Sequence, residues 1–308
     1  MPTRPPLLAV VGPTASGKTA AGVVVAERLG AEIVSVDSMS VYRGMDVGTA
    51  KPSAQDRARV AHHLLDVADP NEEFSVARYQ QLARAALAEI AARGRGALAV
   101  GGTGLYFRAI ADELEFPATD PATRRALEDE AEREGPDALY RRLEAHDPRA
   151  ATKIEPANVR RTVRALEVAT VTGRPFSAFA EAWDRYPQGR VRAAGVAMPT
   201  EVLRERIHAR VRAQYEGGML DETRRLLDRG MGPSLTARQA IGYAEATWYL
   251  EGSITLEDAI AGTAKRTRAL ARRQMAWFRR DPRIRWFEAG VDGASKLVDQ
   301  MTEYLRDG

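Results

Sequence analysis

A chain of 308 residues is long enough for one large domain with an insertion, or for two modest domains. Its composition, 44% apolar and 28% charged, is that of an ordinary globular protein and excludes a disordered or fibrous one. The sequence contains no cysteine, which excludes a disulfide framework, a thiolate zinc site and a cysteine nucleophile, and its net charge of +3 does not by itself indicate nucleic-acid binding.

The sequence carries no signal for a membrane or for export. No stretch approaches the ~18 uninterrupted apolar residues that a membrane span requires. Residues 1–6 are rich in proline and lack the apolar segment and small-residue cleavage site of a signal peptide. We therefore expect a cytoplasmic protein that makes no contact with a membrane, and we expect it to be a monomer. With only four histidines, a histidine-rich metal centre is disfavoured.

The first third of the chain alternates short apolar runs with helical patterns. Continuous apolar strands that alternate with helices predict an α/β fold, a parallel sheet covered by helices on both faces. In such a sheet the ligand site lies beyond the carboxyl ends of the strands. The apolar runs of strand length cover residues 7–11, 33–36 and 97–100, and the helical patterns cover about 18–29 and 76–93.

The pattern changes near residue 116. Residues 120–173 indicate short helices rich in Ala, Arg and Glu and interrupted by prolines. Strand patterns return at 191–198 and 283–287, with long helices between them. The sequence therefore predicts a catalytic core formed by residues 1–116 and 190–308, interrupted by a helical insertion domain of residues 117–189.

A phosphate-binding loop follows the first predicted strand and precedes the first predicted helix. Its glycines let successive backbone N–H groups point at an anion, and the helix adds its positive N-terminal end. The lysine supplies a cation, and the threonine hydroxyl can ligate Mg²⁺. This predicts a P-loop NTPase-like fold and a phosphorylated ligand, which could be ATP, GTP or another diphosphate. The G-x-x-x-x-G-K-T motif consists of Gly12, Pro13, Thr14, Ala15, Ser16, Gly17, Lys18 and Thr19.

Asp37 directly follows the second predicted strand and is expected at the same edge of the sheet as the loop. Three interpretations remain open from the residues alone. Asp37 could hold Mg²⁺, it could act as a general base on a group that attacks the phosphorylated ligand, or it could cap a turn. Residues 62 and 63 are adjacent histidines that cannot face one site from a single strand, which favours structural roles for both.

Longer strings of the sequence resemble the tRNA dimethylallyltransferase family in its shorter, bacterial form without a zinc-finger extension. The resemblance runs in order from about residue 7 to residue 287, nearly the whole chain. The phosphate loop is generic, whereas these strings are specific to that family. They are residues 37–52 (DSMSVYRGMDVGTAKP), 62–67 (HHLLDV), 101–107 (GGTGLYF), 164–168 (RALEV), 238–243 (RQAIGY) and 267–278 (TRALARRQMAWF).

The resemblance implies transfer of a dimethylallyl group from dimethylallyl diphosphate to N6 of the adenosine at tRNA position 37, beside the anticodon. By position, Asp37 matches the family's general base. Thr19 with Mg²⁺ and Arg210 match groups that stabilise the departing diphosphate. The anticodon stem-loop is the expected partner of the core and of the insertion domain. Residues assigned to tRNA are Asp37, Ser38, Met39, Ser40, Thr103, Arg124, Arg161, Arg164, Arg238, Gln239, Lys265, Arg266, Arg268 and Arg272.

Positive charge is concentrated late in the chain. Between Lys265 and Arg285 there are nine basic residues and one acid, Asp281, which favours contact with phosphates. The alternative is that arginines only solvate helix faces, and this applies to Arg210 as well.

Three other functions remain open. A small-molecule kinase or nucleotide hydrolase would use the same loop on ATP, and a free-adenylate prenyltransferase would need no basic helix. A non-catalytic RNA-binding protein would use nucleotide only as a switch.

Overall fold

Six strands form a single sheet in the order β3-β2-β4-β1-β5-β6, and every pairing between them is parallel. The structure is a computed structural model that describes residues 6–112, 114–232 and 236–307, without the side chains of 180, 181 and 184. The predicted parallel α/β sheet is confirmed. The strands are β1 (Leu7–Val11), β2 (Ala31–Val36), β3 (His62–His63), β4 (Gly96–Gly101), β5 (Val191–Ala197) and β6 (Ile284–Glu288).

The helices and turns connect these strands in the described part of the chain. Short 3-10 segments cover Phe176–Asp184 and Gly293–Leu297. The helices are α1 (Lys18–Leu29), α2 (Ala54–Arg59), α3 (Val76–Ala92), α4 (Gly104–Ala111), α5 (Pro121–Glu134), α6 (Pro136–His146), α7 (Pro148–Ala151), α8 (Val159–Thr172), α9 (Thr200–Glu216), α10 (Met219–Asp228), α11 (Tyr243–Leu250), α12 (Leu256–Phe278) and α13 (Val298–Arg306).

Helices cover both faces of the sheet. On one face α1 and α13 pack together, and the core there includes Val23 of α1, Leu98 of β4 and Met301 of α13. On the other face α3 and α4 pack on β2 and β4. The hydroxyl of Tyr79, on α3, donates to the carbonyl oxygen of Ser35 at 2.9 Å. The inner strands β2, β4, β1 and β5 are largely buried on both sides, which explains why they are mostly continuous apolar runs.

The chain divides into two compact units, Met1–Asp112 with Pro187–Gly308, and Glu113–Tyr186. These boundaries lie a few residues before those predicted at 117 and 189. The second unit contains α5 to α8 and has its own apolar core around Leu127, Leu139 and Leu166. No helix in the described ranges is long and apolar enough to span a membrane.

Candidate functional site

The phosphate loop joins β1 to α1 at the carboxyl edge of the sheet. Gly12 and Gly17 have φ values of 152° and 85°, in the region that favours glycine. A Cβ atom at Gly12 would lie 2.7 Å from the carbonyl oxygen of Val196, so only glycine permits this close approach. The first turn of α1 leaves the N–H groups of Lys18 and Thr19 without intrahelical acceptors. The loop therefore offers backbone donors to an anion, as its motif predicts.

Three side chains from the second half of the chain hold the loop. The backbone N–H of Thr14 donates to Oε1 of Gln274 at 2.8 Å. The Thr14 hydroxyl accepts a hydrogen bond from Arg210 at 3.1 Å, and the carbonyl oxygen of Ala15 accepts one from Nε of Arg206 at 3.0 Å. Of these three residues, only Arg210 is predicted from the sequence to belong to the site. Gln274 and Arg206 lie 260 and 191 residues from their partners, so no local pattern could identify them.

Lys18 is buried, and its Nζ donates to the carbonyl oxygen of Pro13 at 3.1 Å. Burial lowers the pKa of Lys18 to about 8, since the charged form loses hydration. The charge of Asp37 opposes this shift, and the charge of Arg210 adds to it. Lys18 is therefore partly charged near neutral pH and can exchange the Pro13 carbonyl for a phosphate oxygen.

We expect the affinity for inorganic diphosphate to fall as the pH rises through about 8. Below this pKa Lys18 is charged and attracts the anion; above it Lys18 is neutral, and binding must take up a proton. Calorimetric titrations between pH 7 and pH 9.5 test this. The control is Lys18→Arg, whose side chain stays charged over this range. An equal loss of affinity in that variant would contradict the role of Lys18.

Asp37 follows β2 and lines one cavity together with Lys18 and Thr19. Its Oδ1 accepts hydrogen bonds from the backbone N–H groups of Met39 at 2.8 Å and Ser40 at 3.3 Å. The turn-capping interpretation of Asp37 is therefore confirmed. Among the described residues Oδ2 has no hydrogen-bond partner, so the carboxylate retains an oxygen for the other two interpretations, a proton or a metal ion.

Thr103 reaches the same turn from the end of β4. Its hydroxyl oxygen accepts a hydrogen bond from the backbone N–H of Ser38 at 3.1 Å and lies 3.4 Å from the Ser38 hydroxyl. The backbone N–H groups of Gly102 and Thr103 both donate to the carbonyl oxygen of Val36. The structure thus places Thr103 beside Ser38, 65 residues earlier in the sequence and adjacent to Asp37.

The segment after this turn is anchored by a carboxylate from α10. Glu222 is buried and accepts hydrogen bonds from the backbone N–H groups of Asp46, Val47 and Gly48 at 2.9–3.2 Å. The Tyr243 hydroxyl also donates to Glu222, at 2.6 Å. These contacts give the family-like string at 37–52 a defined backbone, and the sequence did not reveal them.

Arg210 is not a solvated helix arginine. It is half-buried, and its contact with Thr14 directs it at the phosphate loop. Burial lowers the pKa of Arg210, while the nearby charge of Asp37 opposes that shift. The hydrogen bond to Thr14 places Arg210 at the phosphate loop that also carries Lys18.

Several arginines assigned to tRNA have partners within the chain. Glu167, fully buried, pairs with Arg124 at 3.0 Å and with Arg164 at 2.8 Å. Such pairing neutralises positive charge that would otherwise face an RNA phosphate. Similar contacts join Arg238 to Glu251, Arg266 to Glu245, Arg266 to the carbonyl oxygen of Gln239, and Arg268 to His208.

Other predicted cations are exposed and have no ion-pair partner among the described residues. On α12 these are Lys265 and Arg272, joined by Arg273, and on α8 Arg161. We call Lys265, Arg272 and Arg273 the α12 basic surface. Further along the chain Arg279, Arg280 and Arg285 are also exposed. Because Arg266, Arg268 and Arg283 have partners within the chain, the charge available to a ligand is less than the count of nine suggests.

The site fits Mg²⁺ by the chemistry of its oxygens. Within the described ranges no group of three or more His, Asp or Glu residues could hold a metal ion. Mg²⁺ does not require such a group, because it is usually held by one or two protein oxygens and by substrate phosphates. The Thr19 hydroxyl and the Asp37 carboxylate, which line the same cavity, are oxygens of this kind.

The two adjacent histidines have different partners. Nδ1 of His62 donates to the carbonyl oxygen of Val60 at 2.7 Å, and Nε2 of His63 lies 2.7 Å from the Glu32 carboxylate. They occupy β3, a strand of two residues, so their side chains point to opposite faces. His62 also lines the cavity that contains Asp37.

Comparison with known proteins agrees with the site. The family model described as IPP transferase matches residues 40–281. The chain is 48% identical over 296 residues to the tRNA dimethylallyltransferase of Streptomyces coelicolor, covering 96% of this chain and 94% of that protein. It is 49% identical over 304 residues to that of Nocardioides sp., covering 99% and 97%.

Solved structures show the same fold. The tRNA isopentenylpyrophosphate transferase of Bacillus halodurans has a TM-score of 0.71 and 40% identity, covering 98% of this chain and 96% of that one. A eukaryotic dimethylallyltransferase, captured acting on tRNA, has a TM-score of 0.78 and 26% identity, covering 97% and 78%. The resemblance seen in the sequence motifs is thereby confirmed, and the chain belongs to the IPP transferase family.

Proposed function

We propose that this protein transfers the dimethylallyl group of dimethylallyl diphosphate to N6 of the adenosine at tRNA position 37. The observation that carries the proposal is the position of Asp37. One carboxylate oxygen is held by the backbone, and Asp37 lines a cavity together with Lys18 and Thr19 of the phosphate loop. A proton acceptor therefore lies beside a diphosphate cradle, as alkylation of a weakly nucleophilic amine requires. The relatives' names support the choice of substrates.

The reaction follows from these positions. The exocyclic amine of adenine is a poor nucleophile because its lone pair is delocalised into the ring. As N6 bonds to the allylic carbon, its proton passes to Asp37. The carbon–oxygen bond to diphosphate breaks, and its electron pair leaves with the diphosphate. Asp37 thus neutralises the positive charge that develops on N6.

The departing diphosphate gains negative charge, which the loop can stabilise. The backbone N–H groups of the loop, Lys18 and Arg210 are fixed donors around that position. Bound Mg²⁺, held by Thr19, would supply a further positive charge to the leaving group. Because donors held in place need no reorganisation, they favour the transition state over the substrate.

The α12 basic surface and Arg161 of the insertion domain provide sites for the tRNA backbone. Exposed arginines and lysines without carboxylate partners can exchange counterions for RNA phosphates. The arginines paired with Glu167, Glu245 and Glu251 contribute less, because each carboxylate balances one positive charge, and Arg124 and Arg164 share Glu167.

We expect Arg272→Gln/Arg273→Gln to weaken tRNA binding about 10-fold at low salt. The slope of log affinity against log salt should become shallower by about 1.5, since two phosphate contacts are lost. The matched control is Arg84→Gln/Arg95→Gln, which removes two exposed arginines with no ion-pair partner among the described residues. Filter binding from 50 to 300 mM salt measures both variants. Equal effects in the two would show that only net charge matters.

The decisive assay offers the protein both kinds of substrate with Mg²⁺. One reaction contains labelled dimethylallyl diphosphate, an unmodified tRNA with adenosine at position 37 and free AMP, and a parallel one contains labelled ATP. Label on the tRNA with intact ATP is the expected result. Consumption of ATP with unlabelled tRNA would overturn the proposal in favour of a kinase or nucleotide hydrolase, and label on free AMP would favour a free-adenylate prenyltransferase.

A further inference from the structure

The phosphate loop contains a strained residue that is not glycine. Ala15 has a φ of 65°, in the left-handed region that residues with a Cβ atom rarely occupy. Such a conformation persists only when the surrounding structure holds it, and it commonly occurs at ligand sites. Two contacts from distant helices meet the backbone on either side of this residue, at the N–H of Thr14 and at the carbonyl oxygen of Ala15.

Gln274 makes the first of these contacts from α12. It is 9% exposed, and its Oε1 accepts the N–H of Thr14 at 2.8 Å. A Cβ atom at Gly102 would lie 2.4 Å from Nε2 of Gln274, so the glycine leaves room for the amide. The amide is therefore held in one orientation, with its oxygen towards the loop. This hydrogen bond occupies the Thr14 N–H.

Arg206 makes the second contact from α9. Its Nε donates to the carbonyl oxygen of Ala15 at 3.0 Å, and its Nη1 donates to the carbonyl oxygen of Val291 at 3.1 Å. A Cβ atom at Gly293 would lie 3.0 Å from Nη2, so the guanidinium fills its space closely. The Arg206 guanidinium thus donates hydrogen bonds to carbonyl oxygens of the chain and not to a ligand.

These two contacts have a common consequence for anion binding. A carbonyl oxygen directed into the loop would repel a diphosphate. When the Ala15 carbonyl is held outward by Arg206, the following N–H groups can converge on the anion, as in a backbone nest. If these contacts already order the loop in the free protein, the binding of diphosphate does not have to order it. The binding free energy is then more favourable, because no free energy is lost to ordering the loop.

We propose that Gln274 and Arg206 are positioning residues that hold the strained turn at Ala15 ready for diphosphate. This rests on the proposed function for the identity of the ligand, but it concerns the loop alone. Neither residue is assigned a contact with the reacting atoms. Because Gln274 lies on the helix that carries the α12 basic surface, the diphosphate loop is built in part by the helix proposed to bind tRNA.

The test measures binding of inorganic diphosphate with Mg²⁺ to Gln274→Met and Arg206→Met by calorimetry, without tRNA. Methionine keeps much of the side-chain volume and removes the hydrogen bond. We expect each variant to bind diphosphate about 10-fold more weakly, the effect of losing one hydrogen bond that shapes the site. For Gln274→Met, binding of tRNA without diphosphate should stay within about 2-fold of the parent, because no phosphate-binding charge is removed.

The matched control is Arg84→Met on α3, an exposed arginine outside the phosphate loop and the α12 basic surface, which should leave diphosphate affinity unchanged. A purely structural role for Gln274 would lower the melting temperature without moving the diphosphate affinity, and that result overturns the proposal. So does an equal loss in Arg84→Met. If Gln274→Met does not fold, Arg206→Met decides alone. Diphosphate binding does not depend on which group is transferred, so failure here is distinct from failure of the two-substrate assay.

Discussion

Replacing Asp37 with asparagine is expected to lower the rate of prenyl transfer about 10³-fold, within the range that general-base catalysis contributes. Asparagine keeps an oxygen that can accept the N–H groups of Met39 and Ser40, so the turn is preserved. It cannot accept the proton from N6 at the free oxygen position. The affinities for tRNA and for diphosphate should stay within about 3-fold. Single-turnover transfer of labelled dimethylallyl to tRNA measures the rate.

Asp37→Ala separates the two roles of this residue. Alanine removes both the proton acceptor and the turn cap, so it should also weaken tRNA binding if residues 38–40 contact the tRNA. Loss of the cap alone costs about 1 kcal/mol, by analogy with caps at helix starts. If Asp37→Asn retained a rate within 10-fold of the parent while Asp37→Ala did not, Asp37 would be a turn residue and another group would accept the proton.

Those parts of the site that depend on neighbouring residues could be predicted from the sequence. The phosphate loop, its Lys18 and Thr19, and the position of Asp37 at a strand end follow from short motifs and from apolar runs of strand length. The order β2-β4-β1-β5 then brings the ends of these strands to one edge. Strand β3 was not predicted, because two residues give no pattern and its pairing with β2 forms only in the fold.

The supporting contacts could not be predicted, because their partners lie far apart in sequence. Gln274 is one amide on a helix and carries no sign that its oxygen accepts the N–H of Thr14. In the sequence Glu222 likewise resembles any charged residue of a helix, yet it is buried and accepts hydrogen bonds from three backbone N–H groups. Only the tertiary fold shows which polar residues face inward, and these decide the shape of the loops.

The charge available at the surface could not be predicted from the sequence for the same reason. Counting residues between Lys265 and Arg285 overlooks carboxylates elsewhere in the chain, such as Glu245, which pairs with Arg266 at 2.7 Å. Arg283 is the clearest case. Its side chain is 2% exposed, and it contacts the carboxylate oxygens of Asp112 at 2.7 Å and of Asp281 at 2.7 Å. It therefore belongs to the interior of the core unit and not to a surface that binds phosphate.

Arg283→Met is expected to destabilise the protein by about 3–5 kcal/mol, because buried Asp281 loses its cationic partner and buried Asp112 keeps only Arg108. For a unit of this size that loss lowers the melting temperature by about 10 °C. Scanning calorimetry and urea unfolding measure the change. The tRNA affinity of the folded fraction and its salt slope should match the parent, which distinguishes this arginine from Arg272 and Arg273.

The control lies two residues further along the chain. Arg285 is exposed and its guanidinium lies 5.4 Å from the Phe287 ring centroid and 5.2 Å from that of Tyr304. Arg285→Met should therefore cost no more than about 1 kcal/mol, the value of a cation–π contact at an exposed site. If Arg283→Met were as mild as this control, the buried pairs would be replaceable by packing alone. A shallower slope of log tRNA affinity against log salt in Arg283→Met would instead show that Arg283 contacts tRNA.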